Sequence, residues 1–214
     1  TFTIGASGNV LIKGNQASFG GGIVTEVSSN LSLNQNVTIE ENTATFNGGG
    51  IMIEQGTVTM AGAKIRNNTA GNNGGGIDLA ISRIAGTISF TMTGGEITGN
   101  RAGTSNQTDN LPGSHGPMEW DRSGGGISIT ANNATTSNSV TVNLRGGVIS
   151  DNHLGDYGND GGGVYVNVTT GSVSITLTNN IQIENNTANR YGGGVYFGNK
   201  TTMSVGAGTM TVKD

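Results

Sequence analysis

The chain has 214 residues, of which 39 are glycine and none is cysteine; only 11% are charged, and the formal net charge is −4. The lack of a basic cluster excludes the electrostatic footprint of a nucleic-acid-binding protein, and the lack of cysteine excludes disulfides, cysteine zinc sites and thiol nucleophiles. No apolar run is long enough to insert into a membrane. The length suits a single domain, which we expect over residues 1–214,.

One motif recurs six times along the chain. Each copy has an Ile, an Asn three residues later, and a small residue two further on, which is Ala in every copy except at Leu154. A triplet of glycines and an Ile or Val follow. The asparagines are Asn15, Asn42, Asn68, Asn100, Asn152 and Asn186. The triplets start at Gly20, Gly48, Gly74, Gly124, Gly161 and Gly192. Such self-similarity is the signature of a repeat architecture.

Each repeat predicts three strands. One ends at the Ile-x-x-Asn corner, a second follows the triplet, and a third alternates apolar and polar residues, as at 88–92 and 173–177,. Successive asparagines are 27, 26, 32, 52 and 34 residues apart, which suits one coil of three strands. Stacking coils about 4.8 Å apart would pair their backbones. The sequence therefore predicts an all-β fold, a right-handed, single-stranded parallel β-helix of about six coils.

The polar part of the motif predicts a bend followed by an internal ladder. The residues before the asparagines are Gly14, Glu41, Asn67, Gly99, Asp151 and Asn185. Gly, Asn and Asp are the types that best accept a left-handed backbone, so we expect the bend there. The following Asn would turn inward and bond to the Asn above and below, because a buried amide must be satisfied.

These motifs resemble those of a known family. The pairs Ile-x-x-Asn (39–42, 65–68) and Gly-Gly-Gly-Ile (48–51, 74–77) resemble the Phe-x-x-Asn and Gly-Gly-Ala-Ile/Leu/Val repeats of polymorphic membrane protein passenger domains. They are also similar to repeats of adhesin-like surface proteins of gut bacteria and archaea. The resemblance runs from about Val10 to Phe197. It implies a pectin-lyase-like fold and an extracellular, cell-surface location on a bacterium, and the start in mid-pattern predicts a segment of a longer surface protein.

Three loops would lie side by side on neighbouring coils. They are an insertion at 103–123, an enlarged corner at 153–160 and the shorter segment 189–191. Because binding residues concentrate on loops held by a rigid scaffold, we expect a site for a glycan or a host surface protein there. Its residues would be Trp120, Tyr157, His115, Glu119, Asp121, Arg122 and Tyr191. The alternative is a surface loop that covers the corner, with Trp120 as its own small core.

Two further readings concern metal and catalysis. Asp156 and Asp160 offer oxygen ligands at a spacing that suits calcium, although a solvated turn is the better explanation of this segment. Many pectin-lyase-like β-helices cleave polysaccharides, so a lyase or hydrolase is the alternative function. Lys13, Glu40 and Arg66 would stand on neighbouring coils, but a surface charge ladder accounts for them,. No catalytic residue is predicted.

The outward Ser and Thr residues of the third strand give a lesser alternative, an ice-binding solenoid, although Thr is also a favourable exposed strand residue. Taken together, the sequence predicts a non-enzymatic adhesin or stalk segment without a required cofactor. We expect no nucleic-acid partner, and either a monomer or end-to-end stacking, since uncapped edge strands can pair with another chain.

Overall fold

A computed structural model describes residues 2–26, 29–81, 86–105, 122–131, 139–168, 172–178, 180–198, 202–205 and 211–213. Within these ranges the regular elements are all β-strands, and no helix is found that could cross a membrane. In chain order the strands are β1 (Phe2–Ile4), β2 (Val10–Lys13), β3 (Gln16–Ala17), β4 (Ile23–Thr25), β5 (Ser29–Asn34), β6 (Val37–Glu40), β7 (Thr43–Ala44), β8 (Ile51–Ile53), β9 (Gly56–Arg66), β10 (Thr69–Ala70), β11 (Ile77–Ile81), β12 (Thr87–Thr98), β13 (Arg101–Ala102), β14 (Ile127–Ala131), β15 (Ser139–Leu144), β16 (Gly147–Ser150), β17 (His153–Leu154), β18 (Val164–Val168), β19 (Ser172–Leu177), β20 (Ile181–Glu184), β21 (Val195–Phe197), β22 (Thr202–Val205) and β23 (Thr211–Lys213).

The strands form three parallel sheets, each collecting the equivalent strand of successive coils. The six-stranded sheet has the order β21-β18-β14-β11-β8-β4, and each of its strands begins directly after a glycine triplet. The twelve-stranded sheet is built around the path β1-β5-β9-β12-β15-β19-β22, with β2, β6, β16, β20 and β23 joined to it. The five-stranded sheet is β17-β13-β10-β7-β3. The predicted all-β parallel β-helix is thereby confirmed.

Two details differ from the simplest three-strand coil. The alternating strand and the strand that ends at Ile-x-x-Asn run together in β9 and β12, with a register irregularity between Met92 and Glu96. The corner at the small residue is itself a two-residue strand, because Ala17, Ala44 and Ala70 pair in register from coil to coil. The side chains of Ala44 and Ala70 are buried, so a small residue suits the inside of this tight corner.

The core is a set of apolar columns that run along the helix axis. In one column Ile39, Ile65, Ile97, Ile149 and Ile183 are paired in register and are all fully buried. Burying one such side chain is worth roughly 1.5–3 kcal/mol. The low overall hydrophobicity of the chain is therefore sufficient, because a thin inward row on each coil supplies the whole core.

The six motif asparagines form a continuous hydrogen-bonded ladder. Asn68 shows the pattern: its Nδ2 donates to Asn100 Oδ1 in the next coil and to the Ile39 carbonyl of the previous one, both at 3.0 Å. Its Oδ1 accepts from the backbone N–H and the Nδ2 of Asn42, also at 3.0 Å. Every hydrogen-bonding group of this buried amide is used, which is what a low-dielectric interior requires.

The backbone around the ladder has the left-handed bends that the sequence indicates. All six residues before the asparagines have positive φ, including Glu41 at 55°. The glycine triplet is needed for a different reason, because neighbouring coils approach too closely there for a side chain. A Cβ on Gly50 would lie 2.7 Å from the Gly76 carbonyl oxygen and 3.1 Å from Asn68 Nδ2. The third glycine of the triplet is therefore required by the ladder itself.

Replacing Asn100, which is completely buried, with Ala should lower the free energy of unfolding by about 2–5 kcal/mol. The change leaves the backbone N–H of Asn68 and one hydrogen of its Nδ2 without an acceptor, and it removes one of the two hydrogen bonds that Asn152 Oδ1 accepts. Each unsatisfied buried group costs roughly 1–3 kcal/mol. Equilibrium urea unfolding measures the loss. Asn143→Ala is the matched control, because its side chain is half-buried and makes one hydrogen bond of 3.5 Å; equal losses for the two variants would contradict the role of the ladder.

Gly76→Ala should also destabilise the fold, by about 1–3 kcal/mol, as overpacked substitutions do. Its new methyl would sit 2.7 Å from the Gly126 carbonyl oxygen. Gly14→Asn serves as the control, because nothing lies within 4 Å of the added Cβ and Asn67 already adopts the same backbone conformation. Thermal unfolding should separate the two variants clearly; a neutral Gly76→Ala would contradict the packing argument.

Candidate functional site

A second polar ladder runs along the corner that precedes the glycine triplets. We call Asn47, Asn73, Ser123 and Asp160 the corner ladder. Asn47 Oδ1 accepts from the Asn73 backbone N–H at 3.3 Å, and Asn73 Oδ1 accepts from that of Ser123 at 2.9 Å. Ser123 Oγ then accepts from the Asp160 backbone N–H at 3.3 Å. Each member therefore fixes the next coil through its backbone, so this corner is rigid.

An ion pair closes the corner ladder at its C-terminal end. The Asp160 carboxylate, which is nearly fully buried, accepts from Arg190 Nε at 2.9 Å and from Arg190 Nη2 at 2.7 Å. This two-point contact is the strong geometry for an Arg–carboxylate pair, and it raises the pKa of Arg190 further above its usual value. Asn189 Nδ2 donates to the carbonyls of Gly155 and Gly158, which ties the neighbouring loop to the same corner.

Two exposed tyrosines stand on this corner, each beside an arginine. The Arg122 guanidinium lies 5.7 Å from the centre of the Tyr157 ring, and that of Arg190 lies 5.3 Å from the centre of the Tyr191 ring. The exposed fractions are 44% for Tyr157 and 59% for Tyr191. Cation–π contacts of this kind hold the rings in place. We call Tyr157, Tyr191, Arg122 and Arg190 the aromatic corner.

The aromatic corner contains three of the residues that the sequence predicts for a binding site, Tyr157, Tyr191 and Arg122. The other four, Trp120, His115, Glu119 and Asp121, lie outside the described residues. The calcium prediction falls on the same corner. Both carboxylate oxygens of Asp160 are engaged by Arg190, so calcium binding by Asp156 and Asp160 would require the arginine to leave, and it stays a prediction.

The charge ladder on the opposite end of the chain is a set of ion pairs. Glu40 Oε1 accepts from Lys13 Nζ at 2.9 Å and Glu40 Oε2 from Arg66 Nε at 2.7 Å. Lys13 and Arg66 hold the pKa of the Glu40 carboxyl below its usual value. Neither base is therefore free in this arrangement, in which two partly exposed cations flank one buried carboxylate.

Sequence reasoning missed a buried strip on the outer face of the six-stranded sheet. Its members, Met52, Asp78, Ser128 and Tyr165, lie in register on consecutive strands and point away from the core, yet none is more than 4% exposed. We call these four residues the outer strip. The first glycine of each triplet packs against it; a Cβ on Gly48 would lie 2.9 Å from that of Met52. Beyond the strip, the ring of Tyr165 stacks on that of Tyr196 at 5.2 Å.

Asp78 is the exceptional member of the outer strip. It is completely buried, and neither of its carboxylate oxygens has a hydrogen bond of acceptable geometry. Burial raises the pKa of Asp78 to about 7, against a partial lowering by Ser128 and Asn47 and a further rise from the charge of Glu54. No periodic feature of the sequence indicates this residue, because the other coils place apolar, hydroxyl or aromatic side chains at the same position.

The fold and the two ladders define a repeat protein of the parallel β-helix class. Residues 180–198, which span β20 and β21, match the family model described as the Chlamydia polymorphic membrane protein (Chlamydia_PMP) repeat. The match confirms the resemblance at the level of the repeat. Comparison with curated proteins gave no significant match, and comparison with solved structures gave none.

The buried acid predicts a pH-dependent stability. Folded Asp78 keeps its proton up to a pH of about 7, whereas the unfolded chain releases it near the ordinary pKa of 3.8. Between these values the folded state binds more protons than the unfolded chain. The contribution of Asp78 to the free energy of unfolding is therefore complete below a pH of 3.8 and is lost as the pH rises through about 7. Asp78→Asn, which resembles the protonated acid, should be more stable than wild type at about pH 8 and nearly equal to it near pH 4.

Urea unfolding of both proteins in buffer with EDTA tests this expectation. The difference should grow with pH to a few kcal/mol at most, because one pKa unit corresponds to about 1.4 kcal/mol. A difference that does not change with pH would contradict the buried titration.

Proposed function

We propose that the chain is a non-enzymatic segment of a bacterial cell-surface protein, exposed outside the cell, in which the β-helix is a stiff scaffold for an adhesive site. The observation that carries the proposal is the aromatic corner, where Tyr157 and Tyr191 are exposed although the loops beneath them are fixed. Rings held in place lose little conformational freedom on binding, which is why Tyr is favoured in recognition surfaces.

The location rests on the repeat. Its similarity to the Chlamydia polymorphic membrane protein repeat over residues 180–198 supports a surface protein, and this segment carries Arg190 and Tyr191 of the aromatic corner. A polysaccharide lyase or hydrolase would instead need a free base or paired carboxylates in one cleft. The buried carboxylate of this corner, Asp160, is bound to Arg190, an arrangement that suits a scaffold better than a catalytic acid.

A glycan is the ligand class that we favour for the aromatic corner, with a host surface protein as the other partner. Tyrosine rings offer an apolar face to the C–H groups of a sugar, while the arginines and the tyrosine hydroxyls offer hydrogen bonds to its hydroxyl groups. Trp120, in the part of the insertion outside the described residues, stays in the proposal as a third aromatic residue.

A glycan array probed with wild type, Tyr157→Ala and Tyr191→Ala tests the site. We expect each variant to weaken the selected glycans by about tenfold, the effect of losing a central aromatic contact. Leu11→Ala is the matched control, because Leu11 is an exposed apolar residue on β2, remote in sequence from the aromatic corner.

Host-cell binding before and after enzymatic removal of surface glycans separates the two partners. Binding that survives the treatment yet is lost in Tyr191→Ala would assign a protein partner. Absence of binding in both assays, or equal binding by all variants, would refute a recognition site at this corner.

A further inference from the structure

The outer strip brings together oxygen atoms that have no partner. Besides both carboxylate oxygens of Asp78, the hydroxyl of Ser128 on the adjacent strand is fully buried and has no hydrogen bond of acceptable geometry. Ser128 and Asn47 nevertheless lie close enough to Asp78 to lower its pKa in part. Asp78 and Ser128 are register partners of the parallel strands β11 and β14, and neighbouring strands lie about 4.8 Å apart. Three oxygens of two adjacent side chains are therefore buried side by side without a well-formed hydrogen bond.

A second carboxylate faces the same place. Glu54 follows β8, the strand next to that of Asp78, and comes two residues after Met52, the register partner of Asp78, so alternation places it on the same sheet face,. Its charge adds a small further rise to the pKa of Asp78, which burial mainly raises. Neither acid takes part in an ion pair among the described residues, where the carboxylates of Glu40, Glu41, Glu96 and Asp160 do. Two neighbouring acids on one sheet face thus lack a counter-ion in the part of the chain that the structure describes.

Burial of an uncompensated carboxylate costs several kcal/mol, so proteins neutralise it with a proton, a basic side chain or a metal ion. A proton on Asp78 would neutralise that acid alone and leave the charge of Glu54 uncompensated, whereas a cation could engage both carboxylates and the Ser128 hydroxyl. The atoms that face the acid include carboxylate and hydroxyl oxygens, which are ligands for a hard cation. Calcium tolerates the irregular geometry and the mixed carboxylate and neutral oxygen set found here better than magnesium does.

We propose that Asp78, Ser128 and Glu54 bind a calcium ion on the outer face of the six-stranded sheet. Asp78 would supply two oxygens, Ser128 its hydroxyl and Glu54 a carboxylate from the exposed side. Water would complete the coordination. No group of three or more His, Cys, Asp or Glu side chains suited to a metal occurs in the described ranges, and this site uses two carboxylates and a hydroxyl instead. It lies on strands β11 and β14 and at the residue that follows β8, and it does not depend on the proposed adhesive role.

Calorimetric titration of the intact chain with calcium chloride, after removal of metals with EDTA, tests the site. Wild type should bind one ion. Asp78→Asn, which keeps the shape of the side chain, should weaken binding at least tenfold, and Glu54→Gln should weaken it several-fold. Asp151→Asn is the matched control, since it removes an exposed carboxyl outside both sites and should leave the affinity unchanged, while Asp156→Asn tests the competing calcium prediction at the corner.

Glu54→Gln also separates loss of calcium binding from loss of folding. Glu54 is only half-buried, so its replacement should not disturb the fold. Absence of calcium binding by wild type would overturn the proposal. So would unchanged affinity in Asp78→Asn, or a loss confined to Asp156→Asn, which would place the ion at the aromatic corner.

Discussion

The stacking of one asparagine amide on the next is the constraint on which the rest of this structure depends. Because Asn68 bonds both to Asn100 and to the Ile39 carbonyl, it fixes the distance and the rotation between three coils at once. The apolar columns alone could not do so, since hydrophobic contact is non-directional. The Gly50 position belongs to the same constraint, because any side chain there would separate the coils that the amides hold together.

A fixed corner leaves the segments between the ladder and the glycine triplets free to vary in length. In each coil the corner segment runs from the ladder Asn to the glycine triplet, and the strand after the triplet pairs in register with that of the neighbouring coil. An insertion within the corner segment therefore does not change the register of the next coil. The β13 and β17 strands remain paired although their coils carry the longest corner segments. The corner ladder then holds the returning chain through Asn73 and Ser123. Recognition residues can therefore accumulate at this corner at little cost to the fold.

The sequence was sufficient for the architecture because the residues that create it are identical in every coil. The repeated Ile and Asn indicate the columns, and the hydrogen bonds follow them. The sequence does not indicate the corner ladder, because its members have the same role but are different residue types. The Asn73 amide oxygen and the Ser123 hydroxyl oxygen each accept a hydrogen bond from a backbone N–H. The burial of Asp78 was equally hidden, since alternation along a strand shows which face a side chain takes and not what later covers that face.

The exceptional chemistry of Asp78 is informative because the fold does not require it. Equivalent positions on neighbouring strands carry Met52, Ser128 and Tyr165, which are buried equally well without a charge. An apolar residue would therefore serve the fold better, because a buried acid with unpartnered oxygens lowers stability. The position most costly to the scaffold lies beside a second acid and an unbonded hydroxyl. The requirements of the fold explain the ladder residues but do not explain a buried acid at Asp78. A bound ion would account for it.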